Sequence, residues 1–481
     1  MTAPTTISES AKNAIIAGVL LSMLLAALDQ TIIAPAMPTI GHALGQAEYL
    51  PWIVTAYLLT ATAMAPLYGK LSDIYGRRIT IYAAIVIFLA GSAVSAAAPT
   101  MMALILGRAL QGLGGGGLMT MAQTVIGDLV PPRERARYAA WISGTWAAAS
   151  IAGPLLGGFF AQHYHWSLIF WINIPLGLLA MAIINKPLRL LPVATHRHSV
   201  DWLGAVLLMA ATSTLLLVLN WAGSKHAWTS PEVLGLLAAS AVLWALFAWR
   251  LLRATEPLIS LEVLRNRIVL AGTLSMFMLQ AASIGAAVFL PIYLQSQQGL
   301  SVSESGMALL GLMLGTVAGA TTSGRLVARI VHYKRIALVG VAFAVICLGA
   351  LALLAETASF TLIELLTIGV GFGSGTAFPV CTISVQNAVD RAHLGVATGV
   401  LSFLRSLGAA LGVALLGAVA LGYGVPLAQE GGAAVEAAAE AGAFSVIFLV
   451  ATVLLLASWI MLALMPEKTL RGVPETPVIA D

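Results

Sequence analysis

Apolar residues in this chain come in long unbroken runs rather than in alternation. Between short polar breaks, stretches of about 20 residues carry almost no charge. That is the length a helix rising about 1.5 Å per residue needs to cross a hydrocarbon layer about 30 Å thick. Counting such runs predicts fourteen spans: 14–34, 51–71, 80–98, 101–120, 139–161 and 166–184, then a pair at 202–221 and 233–252, then 269–290, 306–327, 336–354, 359–382, 396–421 and 443–464. The layout is six, two, six. It predicts an all-α polytopic membrane protein with a six-helix bundle over 1–185, a two-helix insertion over 186–267, a second bundle over 268–465 and a disordered tail over 466–481.

The polar breaks orient the spans. Of the 24 Lys and Arg residues, 21 fall in loops on one side of this layout, only Lys225 falls opposite, and Arg108 and Arg405 lie inside spans. Positive loops face the cytoplasm, so both termini are expected there and the membrane is expected to be the inner one. An odd number of spans would scramble the pattern. Residues 2–12 lead straight into the first span with no small-residue cleavage site, so that span is expected to remain in place. The outer loop 423–442 is expected to hold a small surface helix, and 257–266 to lie flat at the inner interface.

Composition agrees. The chain is 59% hydrophobic and 9% charged, against about 25% charge in soluble domains. Several signals are excluded. Cys347 and Cys381 sit alone in apolar runs, with neither disulfide nor zinc spacing. Gly112, Gly114 and Gly117 match G-x-G-x-x-G, but without the strand before or the acid after that nucleotide binding needs, and no phosphate-binding G-x-x-x-x-G-K-[ST] occurs. His163 with His165 and His196 with His198 lack further metal ligands. The scattered positive charge forms no stripe for nucleic acid.

Several motifs carry a resemblance. The loop Gly69-Lys70-Leu71-Ser72-Asp73-Ile74-Tyr75-Gly76-Arg77-Arg78 joins spans two and three, and a degenerate copy, Gly324-Arg325-Leu326-Val327-Ala328-Arg329, follows span ten. The first resembles the signature loop of the major facilitator superfamily, and the copy fits a fold built from internal repeats. Gly153-Pro154-Leu155-Leu156-Gly157-Gly158 in span five resembles the antiporter motif of drug exporters, although Ala149 stands where the family often has another glycine. The stretches from Leu28 to Ile33 with Met37-Pro38, from Trp166 to Gly177, and from Asp201 to Gly204 resemble the fourteen-helix drug:proton antiporters. The resemblance implies a conformational latch at Gly69, Asp73, Gly76, Arg77 and Arg78. It also implies a leak-sealing packing at Gly153, Pro154, Gly157 and Gly158, and export of small amphipathic, cationic or lipophilic compounds. For Gly153 and its companions, span ten is the expected neighbour, because Gly311, Gly315 and Gly319 line one of its faces.

Charge at bilayer depth costs roughly 2.5 kcal/mol or more, so each ionisable residue inside a span is a functional candidate. There are four: Asp29, Arg108, Glu364 and Arg405. Counting residues puts Asp29 about 8 Å and Arg108 about 10 Å below the outer boundary, one level in one bundle. An acid there titrates between desolvation, which favours its neutral form, and the guanidinium, which favours its charged form. Protonation of Asp29 is therefore expected to release Arg108 and bias alternating access, which agrees with the resemblance of Gly107-Arg108-Ala109-Leu110-Gln111-Gly112 to a proton-transfer segment. Glu364 either receives a proton or cationic substrate or reaches the headgroups, while Arg405 either binds anionic groups or locks helices. Gln30, Tyr57, Gln123, Trp146, Gln280 and Tyr293 are expected to line the cavity, with Met276, Phe277 and Met278 as adaptable surface. The expected partners are protons, lipid and a small molecule, with the proton gradient as energy source, no cofactor and a monomeric state. Export of a lipid, siderophore or other metabolite uses the same machinery. A membrane enzyme or receptor would need clustered catalytic groups or a soluble domain, and neither is present.

Overall fold

The computed structural model describes residues 8–46, 49–190, 199–222, 226–423, 425 and 442–470. Lys225, Arg197, His196, His198, most of 423–442 and the tail from Arg471 onward lie outside them. The described residues are helical. Helix α1 runs Glu9–Ile32 and is followed, across Pro35 and Pro38, by a short 3-10 turn and a helix Met37–Leu44. A ring nitrogen cannot donate the bond that would continue α1, so the rod breaks where the first apolar run ends.

Then come α2 Leu50–Tyr75, α3 Arg77–Ala96, α4 Met101–Leu129 and α5 Pro132–His163. The sixth rod is a short helix Leu168–Trp171 running into α6 Asn173–Asn185. The inserted pair is α7 Trp202–Trp221 and α8 Pro231–Arg253. The second bundle holds α9 Arg267–Gln298, α10 Val302–Val327, α11 Lys334–Leu354, α12 Phe360–Ala388, α13 Leu394–Gly422 and α14 Ala443–Leu464. Several rods begin at side-chain caps. Thr100 accepts from Ala103 N–H, Asp201 from Gly204, Asn266 from Ile268, and Ser301 forms a reciprocal box with Glu304.

Twelve helices are long and apolar enough to cross a membrane among the described residues. Helices α4 and α5 have the length, 29 and 32 residues, but Gly, Ser, Thr and Gln dilute their middles. The same small and polar residues let α4 sit inside the assembly, packed between α2 and α3, while α5 lies against α1 with Trp141, Ile151, Leu155 and Phe159 exposed on its outer face. The two bundles meet along two seams, α2 against α13 and α5 against α10. The inserted pair stands beside the first seam. Trp221 of α7 meets Trp52 of α2 edge-on at 6.0 Å, and Trp244 of α8 lies 6.4 Å from Phe403 of α13. Residues 257–266 bury Leu258, Ile259 and Val263 in the protein core.

Candidate functional site

In the first bundle Asp29 and Arg108 are sealed, at 0% and 1% exposure. The Arg108 Nη1 lies 2.5 Å from Asp29 Oδ2 and 2.5 Å from Gln111 Oε1, and its Nε donates to the Ile53 carbonyl at 3.0 Å. The other carboxylate oxygen of Asp29 accepts from Gln111 Nε2 at 2.7 Å and from Asn173 Nδ2 at 3.1 Å. Both amides also donate to Ser92 Oγ, at 2.6 and 2.9 Å. The guanidinium carbon stands 4.4 Å from the Tyr57 ring centre and 5.7 Å from that of Phe170. Five helical rods thus converge on one ion pair. Gln111 follows Arg108 by three residues and so shares its face of α4. Asn173 lies where the sixth rod is interrupted, one residue after Ile172.

Two carboxylate oxygens carrying three donors form a strong acceptor site. Taking the charge off Asp29 leaves a guanidinium buried without its counter-ion, which is costly in a low-dielectric interior. Chemically, the cluster is a charge-neutral pair that one proton unbalances.

At the end of the molecule bearing the α2–α3 turn, a second cluster joins the bundles. Asp73 lies 2.5 Å from Arg77, whose Nε is 2.5 Å from Asp128 at the end of α4. The Asp73 carboxylate also accepts from the backbone N–H groups of Gly395 and Val396 at 3.0 and 2.9 Å. It therefore caps the N-terminus of α13 in the other bundle, where a helix dipole favours a negative charge. A Cβ on Gly69 would run into the Gly395 carbonyl, and one on Gly395 into that of Gly69. Gly76 takes a φ of 86°, open to glycine at little cost, which turns the chain from α2 into α3. Arg78 stays at the rim near Tyr82. Nearby, Gln386 of α12 donates to the Gln123 carbonyl of α4 at 3.3 Å. The degenerate copy makes no such bridge: Arg325 and Arg329 are exposed.

Span ten does lie along span five, as expected, but the span-five glycines themselves pack on another helix. Gly153 and Gly157 pack on Thr31 and Ile32 of α1, and Thr31 Oγ1 donates to the Ala149 carbonyl at 2.8 Å. Gly315 and Gly319 of α10 abut the Ile368 and Phe372 carbonyls of α12. Glycine spacing marks where a backbone comes close but not whose, and the bonds of Thr31 settle α5 on α1. Pro154 is exposed and Gly158 half-buried.

The other candidates scatter. Gln30 adjoins the Tyr57 hydroxyl, which also donates to the Ala26 carbonyl at 3.4 Å. Trp146 packs on Ala27, Leu28 and Ala149, and Gln280 is half-buried on α9. Tyr293 is fully buried, bonded to the Ala355 carbonyl at 2.6 Å and ringed by Phe444 and Phe448. Glu364 lies against Gly311 with a buried Oε1 lacking a partner. Arg405 is half-buried on α13. Neither touches the Asp29 cluster.

A family model described as Major Facilitator Superfamily matches residues 19–413 and 273–478. The chain belongs to the major facilitator superfamily. It is 33% identical over 415 residues to "Multidrug transporter protein MdtP" of Bacillus subtilis (strain 168), covering 85% of this chain and 76% of the relative. It is also 33% identical over 417 residues to "Multidrug resistance protein 3" of the same organism, covering 86% and 81%. The fold is similar to that of the human organic anion transporter MFSD10, with a TM-score of 0.64, 18% identity and coverage of 94% and 99%. The protein is thus a multi-pass integral membrane transporter of the superfamily rather than an enzyme, and its relatives carry multidrug-efflux names.

Proposed function

We propose that this superfamily member is a proton-coupled exporter of small amphipathic compounds. It works by alternating access as a monomer in the inner membrane, with all fourteen rods crossing and both termini cytoplasmic. The observation that carries this reading is the sealed cluster of Asp29, Arg108, Gln111, Ser92 and Asn173, a one-proton switch inside a bundle that can rock. The latch supports it from the other end. With Asp73 on α13 and the Gly69–Gly395 seam closed, the basic face is shut while Asp29 is held as the charged partner of Arg108. That combination is the outward-facing step of an antiport cycle, the state waiting for a proton. Protonation breaks the pair, and a two-state protein moves by the free energy that distinguishes its states.

The test is Asp29→Asn in proteoliposomes carrying an imposed pH gradient. Gradient-driven substrate movement should fall by about 100-fold or more, the loss of a coupling worth roughly 3 kcal/mol, while the protein stays monodisperse. Undiminished gradient-driven transport by that variant rules the switch out.

A further inference from the structure

Among the described residues, the charged groups at membrane depth are unequally served. Asp29 and Arg108 neutralise each other. Glu364 turns toward Gly311 of α10 within its own bundle and leaves a buried Oε1 without a partner, on a different helix from Arg405. Arg405 makes no hydrogen bond, ion pair or ring contact with any described residue, although it lies eleven residues into α13 and is only partly exposed.

The helix places it. Gly395 and Gly399 of α13 face α2, and Gly408 and Gly412 face α9. Thr398, one turn on from Leu394, is within reach of Gln386, which bridges to α4. Thr398, Ser402 and Arg405 follow one another at four- and three-residue steps, so they form one stripe between those two contacts. That stripe faces the interior between the bundles. Ser402 on it has a buried hydroxyl without a partner. An arginine carries five donors in a planar fork that fits a carboxylate or similar anion two bonds at a time. Holding one unpaired at this depth is costly, and no described residue offsets that cost.

We infer that Arg405, with Ser402 one turn below it, forms the substrate-charge subsite of the transport path and takes the anionic pole of an amphipathic organic acid. The inference rests on the exporter reading above and names its substrate class. It runs against the cationic preference expected from the sequence, because Asp29 is fully enclosed and both its oxygens already hold donors from within the protein.

The experiment is a binding titration of the purified full-length protein near neutral pH, with no gradient. The probes share one fluorescent scaffold: dansylglycine with a carboxylate, its neutral amide, and the dansyl derivative of ethylenediamine with an ammonium. The carboxylate probe should bind on the order of tenfold more tightly than the ammonium probe, the scale of one charge-assisted bidentate contact. Arg405→Gln should erase that difference and leave the amide within about twofold, whereas Arg405→Lys should keep part of it. The inference is overturned if the ammonium probe binds as well as the carboxylate, if the preference survives Arg405→Gln, or if dansylglycine does not bind at all. The wild-type ordering alone decides the matter should a variant fail to fold. Because no proton gradient is involved, this result stands apart from the Asp29→Asn result: lost anion preference with intact coupling removes only the subsite, and the reverse removes only the switch.

Discussion

Each half of the molecule buries one arginine, and the two are treated in opposite ways. Arg108 in the first bundle spends three of its five donors on a carboxylate, an amide oxygen and a backbone carbonyl, and two rings lie within about 6 Å of it. Arg405 in the second bundle has none of these among the described residues. The pattern recurs at the basic face, where the turn after α2 is bonded into the opposite bundle while the arginines of its copy after α10 are exposed. For the charged groups at membrane depth, then, the first half pairs its own and the second half keeps valences open. A transporter needs both, since a group satisfied within the protein reports on conformation and a group left unsatisfied is available to cargo.

The contrast is sharpest in stability. Arg108→Gln strands the Asp29 carboxylate in a dry interior and should destabilise the protein by about 3–5 kcal/mol, seen as a large drop in thermal unfolding temperature or loss of folded material. A normally stable Arg108→Gln would mean the pair is not sealed. Next comes the seam. Gly69→Val should cost about 1–3 kcal/mol by overpacking against the Gly395 carbonyl, and should favour the state open at the basic face. Faster maleimide labelling of a cysteine placed at Gln386 would register this, and unchanged labelling would contradict it. Asn173→Ala removes one donor from Asp29 and should cost about 1–2 kcal/mol, with a partial loss of gradient-driven transport smaller than that of Asp29→Asn. Last, Arg405→Gln removes no partner and takes away an uncompensated charge, so it should not destabilise the protein, and any shift should be toward greater stability. A large destabilisation there would erase the distinction between the two arginines.

Much of this architecture was legible beforehand because lipid imposes long apolar runs and the loops between them concentrate the charge. Depth was legible for the same reason: counting along a rigid rod puts Asp29 and Arg108 at one level. What escaped was whatever depends on which faces meet. Gln111 and Asn173 both lie inside stretches singled out for their resemblance, yet nothing in their spacing says that they share an acceptor. Ser92 is one serine among apolar residues of α3 and carries no signal at all. Tyr293 illustrates the converse, since a polar tip in a span serves equally to line a cavity or to bond a neighbouring carbonyl, and here it does the second. The break between Trp171 and Asn173 is invisible in hydropathy, because both pieces are equally apolar.

The bare contact of Gly69 with Gly395 has a consequence for the tempo of the cycle. Where side chains interdigitate, a barrier can loosen by rotamer hops, one residue at a time. Two peptide backbones pressed together have no such soft intermediate, so this closure is expected to part in a single concerted step and to admit no half-open gap through which ions slip.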